Sequence, residues 1–297
     1  MNVSTPNVSA SPAVPLLPEA LRLGAVRLRV REGERSLAFY RDIVGLTPQP
    51  PQGDGLLRLG AGGATLIELE VAPGAPPRPP HTTGLFHVAI LVPDRPALAI
   101  VLRRLIERGV PIGASDHLVS EALYLDDPDG NGIEIYRDRP RADWRWNGGT
   151  VAMATEQLDG RGVLSALPLG APVETPMPAG TVVGHVHLQV GQLEQARRFY
   201  VDTLGLAITT ASYPGALFVS AGGYHHHLGL NVWRSRGGGP APAGSVGLVH
   251  YEMRLPAASD VDAVAARLKA AGAPVTDIPG GIETADPWGT RVRVVAG

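Results

Sequence analysis

The chain has 297 residues, a formal net charge of −2 and no cysteine. This length allows two domains of ordinary size, and the near-neutral charge gives no basic surface for nucleic acid or an anionic membrane. No apolar run reaches the roughly 18 residues of a membrane span, and the lack of cysteine excludes disulfides and thiolate chemistry, so we expect a cytoplasmic protein.

The chain starts with a segment that lacks strand or helix signals. Residues 1–20 are rich in Ser, Pro, Ala and Val, without the basic start and apolar block of a signal peptide, so we predict a disordered tail. Residues 26–30 then alternate like a half-buried strand, and residues 34–43 have helical spacing that ends at Gly45. Two short strands around a Gly-Gly turn complete this first unit.

A second unit with the same order follows. A strand is predicted over residues 86–92 and a helix over residues 95–108, which stops at Gly109. Two more strands flank an Asp-Pro-Asp-Gly turn at residues 127–130. Each unit therefore has the order strand, helix, strand, strand, strand.

The second half of the chain repeats the first. Phe39 and Tyr40 recur as Phe199 and Tyr200, and the Asp-Pro-Asp-Gly turn recurs as Asp-Pro-Trp-Gly. Such internal duplication indicates the same architecture in both halves. The sequence thus predicts four βαβββ units.

A Pro/Gly-rich stretch separates the two halves. Its composition, with Asn-Gly-Gly and repeated prolines, is typical of a linker. We predict a first domain at residues 21–138, a linker at 139–180 and a second domain at 181–297.

Two segments carry a resemblance to a known family. Residues 115–136 contain His-Leu-Val-Ser-Glu-Ala-Leu-Tyr before Asp-Pro-Asp-Gly-Asn-Gly-Ile-Glu, and residues 224–233 read Tyr-His-His-His-Leu-Gly-Leu-Asn-Val-Trp. With the four-fold βαβββ order, the chain resembles the vicinal-oxygen-chelate superfamily of glyoxalase I, bleomycin-resistance proteins and type I extradiol dioxygenases. The two segments resemble its bacillar catechol-2,3-dioxygenase branch. The resemblance implies an α+β fold with two cupped mixed sheets.

In this superfamily, metal ligands come from the first and last strands of each unit. Those positions hold the following residues here: Ala25 and Glu68 or Glu70, His87 and Glu134, His185, and His250 and Arg293. Neither half by itself supplies two histidines and a carboxylate. The first half has Ala25 where the leading histidine should be, and the second half has Arg293, which cannot ligate a cation, in the place of the carboxylate. Pairing unit two with unit three, within one chain or across a homodimer, would bring together His87, Glu134 and His185. The cup from units one and four would then be metal-free.

The resemblance also implies acid–base residues. In the His-His-x-Leu segment the second histidine maps to His226, with His227 as the alternative. His117 and Tyr124 precede Glu134 as the family's outer His and Tyr precede its Glu ligand. Since a run of three histidines on a strand must alternate, we expect one to be functional and two structural.

Structural roles are expected for other conspicuous residues. His250 is interpreted as a packed strand histidine, and Tyr40 and Tyr200 as core residues. The acidic turn at 127–131 is interpreted as a hairpin rather than a Ca²⁺ loop. Trp144 and Trp146 are expected to cover an edge of the linker.

Three functions remain open from the sequence. The first is a ring-cleaving dioxygenase that uses Fe(II) and O₂ on a catechol-like substrate. The second is a glyoxalase-like isomerase or lyase with Ni, Zn or Mn, although Gly229 or Asn231 stands where its second carboxylate would lie. The third is a drug-sequestering protein, against which the aromatic content of 5% weighs.

Overall fold

The computed structural model describes residues 14–297. Its helices are α1 (Gly33–Ala38), α2 (Arg95–Glu107), α3 (Gly160–Ser165), α4 (Leu193–Tyr200) and α5 (Ala258–Ala270), with a π-helical segment at Phe39–Val44 and a 3₁₀ turn at Arg141–Asp143. Its strands are β1 (Arg22–Val30), β2 (Thr47–Pro48), β3 (Leu57–Ala61), β4 (Ala64–Val71), β5 (Gly84–Leu91), β6 (Gly113–Asp116), β7 (Ser120–Asp126), β8 (Gly132–Asp138), β9 (Trp146–Asn147), β10 (Thr150–Val151), β11 (Glu156–Gln157), β12 (Val182–Gln189), β13 (Ala207–Thr210), β14 (Ala216–Ser220), β15 (Leu228–Asn231), β16 (Gly247–Leu255), β17 (Val275–Ile278), β18 (Gly281–Ala285) and β19 (Arg291–Ala296).

Two large mixed sheets contain the four units. One sheet has the order β17-β18-β19-β16-β1-β4-β3-β2, which joins units four and one. The other has the order β11-β6-β7-β8-β5-β12-β15-β14-β13, which joins units two and three. Each large sheet therefore takes one unit from each half, and the pairing of units two and three occurs within a single chain. The predicted α+β architecture with four βαβββ units is confirmed.

Within each unit the first and last strands lie side by side and parallel. In unit two, β5 pairs in parallel with β8, and in unit three β12 pairs in parallel with β15. The two first strands, β5 and β12, pair with each other in antiparallel orientation and join the units at the centre of the sheet. Residues on these central strands therefore meet at the middle of one curved surface.

Helix α2 shows how the helices pack on this sheet. The side chain of Asp94 accepts a hydrogen bond from the backbone N–H of Ala97 at 2.8 Å and caps the first turn. Leu98 and Leu105 are fully buried on its inner face. Gly109 follows with a φ of 62°, a conformation in which glycine carries no steric penalty, so the helix ends there.

The segments predicted as tail and linker pack closely where they are described. Residues 1–13 of the predicted tail lie outside the described residues. In residues 14–20, Leu17 is 5% exposed and its N–H donates to the carbonyl of Gly205 at 2.8 Å. The linker contains α3 and three short strands, of which β11 extends the sheet of units two and three. Residues 14–20 and the linker therefore contact the βαβββ units.

Candidate metal centre and cavity

Three predicted ligands meet at the centre of the sheet of units two and three. Nε2 of His87 lies 2.9 Å from Oε2 of Glu134, and Nε2 of His185 lies 3.1 Å from the same oxygen. The two Nε2 atoms are 3.4 Å apart. All three side chains are buried, so the cluster is held inside the protein.

Strand register explains this convergence. Ala89 on β5 lies opposite both Glu134 on β8 and His185 on β12. Directly paired residues share one face of a sheet, and His87 shares that face because it precedes Ala89 by two residues. The small, fully buried Ala89 side chain leaves room above it for the three ligating atoms.

The charges of the cluster suit a divalent cation. Burial lowers the pKa of His185 to about 4, so this ring is neutral at neutral pH. Burial would raise the pKa of Glu134, but His185 and His87 hold that pKa well below its usual range. The cluster therefore offers a neutral imidazole and an ionised carboxylate, which are the forms that ligate metals.

The spacing of the three atoms also fits one metal ion. Two ligands at right angles, each about 2.1 Å from a metal, lie roughly 3 Å apart, which matches the separations of 2.9, 3.1 and 3.4 Å. Two histidines and one carboxylate on one side leave other coordination positions open. One feature departs from the usual pattern, because Nδ1 of His185 has no hydrogen-bond partner among residues 14–297.

The cluster opens into a cavity of about 250 Å³. The other lining residues are mostly aromatic or hydroxyl-bearing, and they are Phe86, Ser115, His117, Ser120, Tyr124, Met153, Thr155, His187, Tyr213, Phe218, His226 and Trp233. Although only 5% of the chain is aromatic, its aromatic side chains concentrate here. The cavity thus has the size and lining for a small planar ligand.

The three consecutive histidines lie in the turn before β15. The alternation argument placed them on a strand, and this prediction was wrong. Gly222 and Gly223 adopt left-handed backbone conformations just before them, which turns the chain. His226 faces the cavity, and the ring of His227 is bonded elsewhere, with Nδ1 2.8 Å from the hydroxyl of Ser220. His226 is therefore the one that meets the candidate centre, at 4.2 Å between its ring and that of His185.

Burial, and then the neighbouring His185 and His225, lower the pKa of His226 well below its usual value. Its ring is consequently neutral at neutral pH, with a lone pair on one nitrogen. Nδ1 of His226 lies 2.7 Å from Nδ1 of His225. Nε2 is the nitrogen left for a ligand in the cavity.

His117 and Tyr124 form a second polar pair in the cavity wall. Nε2 of His117 lies 2.6 Å from the hydroxyl of Tyr124, and its Nδ1 lies 2.7 Å from the carbonyl oxygen of Ala154. Because a carbonyl oxygen only accepts, Nδ1 of His117 carries the proton and Nε2 accepts from the tyrosine. Burial, and next the nearby Glu134, raise the pKa of Tyr124 well above its usual value, so the hydroxyl keeps its proton.

Several lining residues were not predicted from the sequence. His187 follows His185 by two residues, so the same alternation rule assigns it to this face. Its ring lies over Gly229, where an added Cβ would come within 2.8 Å of the imidazole. Phe86 also reaches the cavity, because an irregularity in the pairing of β5 with β12 falls beside it, and no sequence signal marks that position.

The linker contributes residues as well. Met153 and Thr155 line the cavity, and the hydroxyl of Thr155 lies 2.5 Å from that of Tyr213. Trp144 is buried and packs 5.1 Å from the ring of His225, whereas Trp146 is exposed. Linker composition gave no indication of this role.

The sheet of units one and four has a different polar lining. Burial, and next Arg293 and Arg27, lower the pKa of His250 to about 3. Arg27 pairs with Glu68 at 2.7 Å, and Arg293 pairs with Glu283 at 2.9 Å. Cationic side chains thus surround the histidine that the sequence assigned to a packing role.

The paired βαβββ units and the buried cluster of two histidines and one carboxylate define a vicinal-oxygen-chelate protein. Residues 22–135 and 182–294 match the Glyoxalase/Bleomycin resistance protein/Dioxygenase superfamily, and the chain belongs to this family. Over 273 residues it is 44% identical to a catechol-2,3-dioxygenase of Bacillus subtilis (strain 168), covering 91% of this chain and 95% of that protein. The predicted family is therefore confirmed.

Solved structures share the fold at low sequence identity. One from Bacillus subtilis subsp. subtilis str. 168 has a TM-score of 0.63 and 16% identity, covering 97% of this chain and 86% of its own. Glyoxalase I from Zea mays has a TM-score of 0.56 and 17% identity, covering 93% and 92%. No helix within residues 14–297 is long and apolar enough to cross a membrane.

Proposed function

We propose that this protein is an Fe(II)-dependent extradiol dioxygenase that cleaves a catechol-like ring beside its hydroxyls with O₂. The observation that carries the proposal is the buried cluster of His87, Glu134 and His185 at the base of an aromatic cavity. The 44% identity to a catechol-2,3-dioxygenase supports it. One chain supplies all three ligands, so a homodimer would not be needed to complete the site.

When bound by these ligands, Fe(II) supplies open coordination positions for a diol and O₂ together. The protein contributes proton handling and orientation. His226, neutral and facing the cavity, accepts a proton from a substrate hydroxyl. On another wall Tyr124 donates its hydroxyl proton to His117, so the oxygen of Tyr124 can accept a hydrogen bond from a substrate hydroxyl. The aromatic walls hold the ring in plane.

Two observations favour this reaction over the alternatives. An isomerase with a second carboxylate would need that group at Gly229 or Asn231, but the ring of His187 already covers Gly229. A drug-sequestering protein needs a larger pocket, since pockets that bind drug-sized ligands measure about 300–1,000 Å³. The cavity of about 250 Å³ fits a single substituted ring better.

The test is oxygen uptake by protein loaded with Fe(II) under anaerobic conditions and then mixed with a panel of catechols. Wild-type protein should consume O₂ and form a ring-opened product. Glu134→Ala removes the only anionic ligand of the cluster and should abolish iron retention. His226→Phe should retain iron and lower turnover by roughly 10²–10⁴-fold, the usual contribution of one positioned acid–base group.

Iron content is measured on each variant before activity. Loading with Mn, Ni or Zn in place of Fe(II) controls for the isomerase alternative, which would convert a substrate without consuming oxygen. The proposal fails if iron-loaded wild type consumes no oxygen with any catechol in the panel. It fails equally if Glu134→Ala retains both iron and activity.

A further inference from the structure

A hydrogen-bonded chain runs from the edge of β8 to the cavity. Oδ1 of Asp138 lies 2.9 Å from Nε2 of His225, and Nδ1 of His225 lies 2.7 Å from Nδ1 of His226. We infer that Asp138 and His225 are positioning residues that fix the tautomer of His226, with an unprotonated Nε2 facing the cavity. The inference rests on the proposed acid–base role of His226.

The direction of the hydrogen bonds follows from the carboxylate. An ionised carboxylate only accepts, so Nε2 of His225 carries a proton. In a neutral His225 ring Nδ1 then has the lone pair, which accepts from Nδ1–H of His226. The remaining nitrogen of His226, Nε2, is left with its lone pair toward the cavity. This is the form of imidazole that can take a proton from a substrate hydroxyl.

Packing protects the inner part of this chain from water. His225 is fully buried, with the ring of Tyr224 at 4.1 Å and that of Trp144 at 5.1 Å. The side chain of Asp138 is 23% exposed, so the outer end of this hydrogen-bonded series meets solvent. Because water has little access to His225, no alternative donor competes for its Nδ1. The tautomer is set by the protein.

Topology explains why these residues meet. Asp138 is the last residue of β8, the strand that also carries the candidate ligand Glu134. His225 and His226 belong to the turn before β15, on the other half of the chain. One strand therefore supplies a carboxylate to the metal cluster and a second carboxylate to the histidine beside it. The cover over His225 comes from the linker through Trp144.

The direct experiment determines the ring tautomers in metal-free protein labelled with ¹⁵N-histidine. Long-range ¹H–¹⁵N spectra distinguish a protonated from an unprotonated ring nitrogen, and loss of one set of signals in His226→Gln assigns His226. Wild type should show His226 protonated at Nδ1 and unprotonated at Nε2. A wild-type His226 protonated at Nε2, or a doubly protonated His225, overturns the inference without any variant.

Asp138→Asn should reverse the direction of the hydrogen bonds from residue 138 to His226. Its amide donates to Nε2 of His225, whose Nδ1 then carries the proton and donates to His226, and His226 is left protonated at Nε2. In the iron-loaded protein this should lower kcat by about 10²–10⁴-fold at unchanged iron content, the effect of a wrong tautomer on an acid–base histidine. Asp138→Glu keeps a carboxylate and should retain the wild-type tautomer and most of the activity. Asp143 is an exposed aspartate five residues further along the chain, and Asp143→Asn is the matched control. It should change neither the tautomer of His226 nor the activity.

The two proposals fail in different ways. A tautomer that reverses in Asp138→Asn, in a protein that turns over no catechol, sinks the dioxygenase proposal and supports the positioning role. Catechol turnover with the same His226 tautomer and the same kcat in wild type and Asp138→Asn sinks the positioning role alone. If Asp138→Asn does not fold, the wild-type tautomer and Asp138→Glu still decide.

Discussion

Imidazole nitrogens around the cavity are distinguished by their partners. Nδ1 of His117 must carry a proton because the carbonyl of Ala154 accepts from it, and its Nε2 accepts from Tyr124. Nδ1 of His226 is bonded to His225, whereas Nε2 of His185 lies 3.1 Å from Oε2 of Glu134. Under the proposed function the same residue type would serve as ligand, base or orienting group according to which nitrogen is left free.

The hydroxyl of Tyr124 donates to His117, and we predict that its removal affects catechol turnover. Tyr124→Phe should lower catechol turnover by about 10–10²-fold, because a substrate hydroxyl loses the oxygen to which it donates, and one such hydrogen bond contributes on the order of 1–3 kcal/mol. Iron content should not change, since Tyr124 is not a ligand. Steady-state oxygen uptake and metal analysis measure both quantities.

Tyr213→Phe is the matched control for that variant. Tyr213 also lines the cavity, but its hydroxyl bonds to Thr155 and not to a histidine. Its loss should change turnover less than the loss of Tyr124. Equal effects of the two variants would show that the His117–Tyr124 pair has no special part in the reaction.

At the scale of elements, the duplicated turns and helix ends form the same contact twice. The hydroxyl of Tyr40 donates to Oδ2 of Asp127 at 3.0 Å, and that of Tyr200 donates to Oδ2 of Asp286 at 3.0 Å. The tyrosines are core residues as predicted, and they also tie the helix end of one unit to the turn of the next. These contacts link units one and two, and units three and four, although those units lie in different large sheets.

Removing either hydroxyl should destabilise the fold. Tyr40→Phe and Tyr200→Phe should each lower the free energy of unfolding by about 1–3 kcal/mol, because a buried carboxylate oxygen loses a donor. The loss of stability for Tyr40→Phe should lie at the lower end of this range, since Oδ2 of Asp127 also accepts a hydrogen bond from the side chain of Asn131 at 2.8 Å. Urea denaturation followed by circular dichroism measures the change. Variants as stable as wild type would contradict the tethering role.

At the scale of the whole molecule, the two large sheets have diverged in their chemistry. One holds two histidines around a carboxylate, and the other holds His250 among arginines that are paired with acidic residues. Duplication supplied equivalent strand positions, and each sheet kept a different subset of polar residues. In the arginine-lined sheet the buried His250 has a consequence for stability.

His250 should make stability depend on pH. Its pKa of about 3 in the folded protein lies below the roughly 6.5 of an unfolded histidine. Above about pH 6.5 the ring is neutral in both states and contributes nothing. Between about pH 6.5 and 3 only the unfolded state binds the proton, so stability falls with decreasing pH by up to about 1.4 kcal/mol per unit.

His250→Gln should therefore reduce the slope of the free energy of unfolding against pH between about pH 6 and pH 4. Urea titrations in EDTA, which keep metal binding out of the comparison, measure the slope. Only the slope matters, so a lower stability of the variant at every pH does not affect the test. Identical slopes for the variant and the wild type would show that the ring titrates alike in both states.

Much of this protein was determined by local sequence. Repeated strand–helix–strand order, with glycines at the helix ends, fixes the βαβββ units because periodicity and left-handed positions are properties of short segments. The resemblance to the vicinal-oxygen-chelate superfamily, together with alternation along a strand, indicated His87, Glu134 and His185 as ligands. The incomplete ligand sets of the two halves then indicated that units two and three share a sheet.

Other features depended on contacts between distant segments, which local sequence does not encode. Three contacts join positions from opposite halves of the chain or from the linker. They are the contact of Asp138 with His225, that of the Ala154 carbonyl with His117, and the packing of Trp144 on His225. A run of three histidines carries no sign that it precedes a strand, because a glycine turn and the strand pairing set where β15 begins. Tertiary structure decided these long-range contacts, because a hydrogen bond forms wherever the folded backbone brings donor and acceptor within about 3 Å, regardless of their separation in sequence.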